Sequence, residues 1–132
     1  MNDLYTNYFQ EYTKLAFNNS VHKTLDDFIA LALDVKNADS KLMFAGNGAS
    51  AAISSHAAVD FTKQAQVRGI TFNEADLITC YSNDYGYENW ISESIKSYYK
   101  KSDVVVLISV SGESPSIINA AITAKNLGLK VV

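Results

Sequence analysis

Cysteine and proline each occur once in the 132 residues, and glycine six times. The single cysteine, Cys80, cannot close an intrachain disulfide, so an apolar core has to hold the fold, and a reducing cytoplasm suits such a chain. The N-terminus carries Asp3 and Glu11 where a targeting segment would be basic and then apolar. No apolar run, Val104–Ile108 included, approaches the roughly 20 residues a membrane-spanning helix requires. There is no Lys/Arg cluster, and the net charge is −3. Without such a cluster the chain has no electrostatic footprint for nucleic acid or an anionic membrane, which leaves a small molecule as the expected partner.

The rest of the sequence is ordinary globular material, 48% hydrophobic and 19% charged, enough for one domain with one core. Phe9, Tyr12, Leu15 and Ala16 recur at helical spacing, as do Leu25, Phe28, Ile29, Ala32 and Leu33, which predicts two amphipathic helices over residues 1–40. Thr24 is the expected N-cap of the second, with Asp26 and Asp27 in its first turn. An α/β core follows over 41–132. Lys41–Ala45 reads as a strand buried on both faces, Gly46–Gly48 as a turn, and Ser50 to about Lys63 as an Ala-rich helix. Gly69–Phe72 reads as a second strand, Leu77–Cys80 as a short extended piece and Ser82–Gly86 as a loop. Glu88–Tyr99 should be helical. Asp103–Ser109, rich in β-branched residues, should be a strand. Ser114 as N-cap, Pro115 at the first position and Gly128 past the end frame a last helix, and Lys130–Val132 opens another strand. Strands alternating with helices predict a doubly wound, three-layer parallel sheet of flavodoxin-like topology. The final strand stops mid-element, which implies a truncated domain whose last strands and helix are missing.

Two loops carry the chemistry. Gly46–Ser50 joins a buried strand to a helix N-terminus, where free N–H groups and the positive end of the helix dipole attract an anion. Gly48 allows a sharp turn, and Asn47 and Ser50 add side-chain hydrogen bonds. Ser109–Ser114 repeats the arrangement with the hydroxyls of Ser109, Ser111 and Ser114 ahead of a second helix. In a parallel sheet both loops face one crevice outside the carboxyl ends of the strands, so together they predict a phosphate cradle. A competing reading takes Gly46, Gly48 and Ala51 as a dinucleotide fingerprint, with Glu74 or Asp76 gripping a ribose. Against it, two helices precede the first strand, and such a fold has no use for the serine loop. His56 and Asp60, four residues apart on the helix after the first loop, lie on one face. They are a candidate acid–base pair. The competing reading of His56 is a histidine hydrogen-bonded within the core. Tyr85, Tyr87 and Trp90 read as packing aromatics.

Gly46–Ala52 followed by His56, then Ser82–Tyr87, then Ser109–Pro115 resembles the phosphoheptose isomerase branch of the SIS (sugar isomerase) proteins, in order and interval, from Lys41 to the last residue. The resemblance implies a SIS-type fold and interconversion of a ketose phosphate and an aldose phosphate, typically sedoheptulose 7-phosphate, for surface polysaccharide synthesis. It implies zinc as cofactor, with His56 on a ligand position and Asp60 on a family glutamate that serves as ligand and base. It further implies that Asp84 and Asn83 contact or shape the sugar pocket, and that the protein is a homodimer or homotetramer with sites at subunit interfaces. This sequence departs from the family in two ways: Asp60 is one methylene shorter than the glutamate, and a Gln and a His that the family draws from a later helix have no counterpart. Two protein ligands are fewer than the three of a catalytic zinc site, so this chain alone should bind metal poorly. The same features leave open a non-catalytic, phosphosugar-sensing SIS domain.

Overall fold

The computed structural model describes residues 2–132. It forms two compact units, one extending to Leu31 and the other from Ala32 to Val132. The first holds helix α1, Asn2–Ala16, and the start of α2, Asn19–Asn37. Most apolar side chains of this unit stand open, among them Tyr5, Tyr8, Phe9, Tyr12 and Leu15. Helix α2 begins five residues before the expected cap. The side-chain oxygen of Asn18 accepts the Ser20 N–H at 2.8 Å, satisfying a first-turn donor, while the Thr24 hydroxyl donates back to the Ser20 carbonyl from within the helix. Asp26 and Asp27 therefore sit beyond the first turn.

The second unit is built on four parallel strands, β1 (Leu42–Gly46), β2 (Gly69–Thr71), β3 (Val104–Ile108) and β4 (Lys130–Val131), in the order β2-β1-β3-β4. Leu42 pairs with Gly69 on one side and Val104 on the other, and Val104 pairs with Lys130. All five residues of β1 are buried, as a central strand covered on both faces must be. Alternation sends Met43, Ala45 and Val105 into one core with Trp90, Ile91, Ile95, Ile117, Ala120 and Ala124, while Phe44 packs against Phe61 on the other face, ring centroids 5.4 Å apart. Helix α3 (Ala49–Asp60) follows β1 and runs into a π-helical turn, Phe61–Ala65. Helices α5 (Trp90–Tyr98) and α6 (Pro115–Asn126) flank β3 in sequence and carry most of the first core.

The segment after β2 differs from expectation. Leu77–Cys80 is neither extended nor followed by a loop: Ala75–Tyr85 is a single helix, α4, that takes in Ser82–Tyr85. Leu77, Ile78 and Tyr81 recur at helical spacing and pack on the core, and that burial outweighs the β-leaning composition of a four-residue run. Gly86, at φ 85°, then turns the chain out of the helix.

Candidate functional site

The strand order reverses between β1 and β3, so the crevice beyond their carboxyl ends is the topological switch point of the sheet. Both loops lie there. Gly46 ends β1, and a Cβ on it would stand 2.7 Å from the backbone carbonyl carbon and oxygen of Ser50, so only glycine lets the first turn of α3 close onto the strand. Gly48 is the N-cap of α3 at φ 57°, and it has no side chain to fill the space around it. The Asn47 and Gly48 carbonyls accept the N–H groups of Ser50 and Ala51, both at 3.0 Å.

Asn47, Ser50, Ser109, Ser111 and Ser114 line a single cavity of about 230 Å3, together with Ile108 and Val110. The hydroxyls of the second loop are prepared in a particular way. Ser109 Oγ accepts the Gly112 N–H and Ser111 Oγ accepts the Glu113 N–H, each at 3.1 Å. A hydroxyl that accepts from a local N–H keeps its own proton for donation, so these bonds fix the oxygens and leave both as donors. Ser114 occupies the N-cap position of α6, its carbonyl accepting from Ile117 and Ile118, yet its side chain makes no capping bond. Ser114 is thus the N-cap that the sequence predicts, but it caps with its backbone carbonyl and its side chain makes no capping bond. The positive ends of α3 and α6 both border this space, which suits an anion.

The other predicted residues lie elsewhere. His56 Nε2 stands 3.4 Å from Asp60 Oδ2, one helical turn apart as expected, with side chains 79% and 55% exposed. The pair is off the stripe by which α3 is buried, Ser50, Ser54 and Ala58, and is not among the residues lining the cavity. The core-histidine reading of His56 is excluded by that exposure. Asp84 sits near the end of α4, accepting from the side-chain amide of Asn83 at 2.9 Å, also away from the cavity wall. Among the described residues no group of three or more His, Cys, Asp or Glu side chains is placed to hold a metal ion.

One participant was invisible in the sequence. Ser116, in the first turn of α6 and buried, accepts the side-chain N–H of Asn47 at 2.9 Å, while the Tyr87 hydroxyl donates to Asn47 Oδ1 at 3.1 Å. Both contacts join parts of the chain 40 or more residues apart. The only local hint was a fourth serine two positions after Ser114.

The SIS domain model matches residues 5–132. The phosphoheptose isomerase of Crocosphaera subtropica is 32% identical over 124 residues, 89% of this chain and 63% of the relative. That of Sulfurimonas denitrificans is 31% identical over 121 residues, 87% of this chain and 62% of the relative. The chain thus spans a little over three fifths of the length of these curated relatives. Among solved structures, the phosphoheptose isomerase of Neisseria gonorrhoeae superposes with a TM-score of 0.74 at 26% identity, covering 93% of this chain and 73% of that one. The Francisella tularensis phosphoheptose isomerase shares the fold at a TM-score of 0.86 and 22% identity, over 98% of this chain and 71% of that one. Among the described residues no helix is long and apolar enough to cross a membrane. The chain therefore belongs to the SIS domain family, as the resemblance in its loops implied, and the relatives it matches are phosphoheptose isomerases.

Proposed function

We propose that this chain carries the phosphosugar site of an aldose–ketose phosphate isomerase, acting on sedoheptulose 7-phosphate to form a manno-heptose 7-phosphate. The observation that carries this reading is the convergence of Asn47, Ser50, Ser109, Ser111 and Ser114 on one cavity between two helix N-termini. A phosphate group held there by hydroxyl donors leaves the carbon chain of the sugar free to reach an acid–base group. Isomerisation then requires loss of a proton from the carbon beside the carbonyl, an enediolate, and return of a proton to the neighbouring carbon. His56 and Asp60 are the chain's candidates for moving it. They sit on an open face of α3 that also exposes Ile53 and Val59. We assign that face, with the open apolar residues of α1, to contacts in a homo-oligomer that bring the pair to a sugar; a strictly monomeric mass in solution counts against this.

Zinc fits these residues poorly. One carboxylate and one imidazole are present here where a catalytic zinc site has three protein ligands. The same exposure of His56 and Asp60 favours a second reading, a phosphosugar-binding domain without catalysis. An isomerase assay on the intact protein separates the two: with sedoheptulose 7-phosphate, turnover that falls about 100-fold or more in Asp60→Asn supports the enzyme, as loss of a positioned general base does. Binding without turnover supports the sensor.

A further inference from the structure

The amide of Asn47 is held in an unusual place. It lines the phosphate cavity on one side and, on the other, a second cavity of about 340 Å3 that also touches Tyr87, Glu88, Ser114, Pro115 and Ser116. With open space on both sides, packing does little to choose its rotamer. Two hydrogen bonds do so: Tyr87 donates to its oxygen and its nitrogen donates to Ser116. Ser116 is buried and cannot turn to water in place of Asn47. The Tyr87 ring is in turn set against Trp90, centroids 6.4 Å apart at 46°, and Trp90 belongs to the core. A path of contacts therefore runs from the core to the first loop, and it crosses to α6 at the point where the second loop ends. These two bonds use one amide hydrogen and one oxygen lone pair, leaving the other of each for a ligand.

We infer that Tyr87 is a positioning residue, which together with Ser116 locks the Asn47 amide into the orientation the phosphate cavity requires. This rests on the phosphate reading of the cavity and gives Tyr87 a role beyond aromatic packing. Removing its hydroxyl frees one end of the amide, and the affinity loss should match one net hydrogen bond, about three- to tenfold.

The test is calorimetric titration of the intact protein with inorganic phosphate and with sedoheptulose 7-phosphate, for wild type, Ser111→Ala, Tyr87→Phe, Ser116→Ala, Asn47→Ala and the double variant Tyr87→Phe/Asn47→Ala. The expected result is weaker binding in Tyr87→Phe with an unchanged thermal midpoint, since only an exposed hydroxyl is lost, and no further loss when Tyr87→Phe is added to Asn47→Ala. Ser116→Ala should weaken binding in the same sense. If Ser111→Ala weakens binding but Tyr87→Phe does not, the positioning role is overturned while the phosphate cavity stands. An equal Tyr87→Phe loss with and without Asn47 also overturns it, because the effect then bypasses the amide. If wild type binds neither probe, or Ser111→Ala leaves binding unchanged, the phosphate reading fails and the role of Tyr87 falls with it.

Discussion

The two ends of β1 and β3 are built in opposite ways. At their amino ends Asp103, its side chain 1% exposed, receives the Lys41 N–H at 3.0 Å, the Lys100 N–H at 2.6 Å and the Lys41 ammonium, so its carboxylate is paired and hydrogen-bonded on both oxygens. At their carboxyl ends Ser109 and Ser111 accept only local N–H groups, the Ser114 side chain makes no capping bond, and Val110 is completely exposed. The same pair of strands thus carries a closed polar clamp at one end and an open set of donors at the other. Satisfied buried polar groups hold strands in place, whereas a binding site has to keep part of its hydrogen-bonding capacity unspent.

The sharpest way to break this contrast is Asp103→Ala. It leaves the Lys41 ammonium and two backbone N–H groups without their acceptor, and urea denaturation should show a loss of about 3–5 kcal/mol, while the protein that remains folded binds phosphate as before. A parallel loss of affinity would mean the two ends are coupled. Next is Gly46→Ala, in which the new methyl meets the Ser50 backbone at 2.7 Å. Overpacking of this kind should lower stability by about 1–3 kcal/mol and also weaken phosphate binding, because α3 has to move away from the strand that positions it. Smallest in stability is Ser111→Ala, which should leave the unfolding midpoint in place and weaken phosphate binding about tenfold by calorimetry. A large stability loss there would show that the second loop is structural after all.

Much of this arrangement was legible in advance. The β-branched run of β3, the buried run of β1 and the two glycine turns located both loops, because strands covered on both faces have a composition that few other elements share. Ser50, Ser109 and Ser111 were assigned to one cradle from topology alone, and they do line one cavity. Helix α4 was misread because four residues of mixed propensity say little when the deciding contacts, Leu77, Ile78 and Tyr81 on the core, are supplied by other elements. Thr24 failed as a cap for a similar reason. A capping residue is recognised by the turn that follows it, and Asn18 offered an equal side chain six positions earlier.

What the sequence determined by itself was the succession of β1, α3, β3 and α6, the position of the two strand-to-helix turns between them and the pairing of His56 with Asp60, since each depends on spacing along a single strand, turn or helix. Tertiary structure alone decided that Ser114 caps through its backbone and lines a cavity, that His56 and Asp60 stand outside that cavity, and that Tyr87 and Ser116 hold Asn47. Those are relations between residues tens of positions apart, and the geometry that brings them together arises only when the sheet orders its strands and the helices pack upon it.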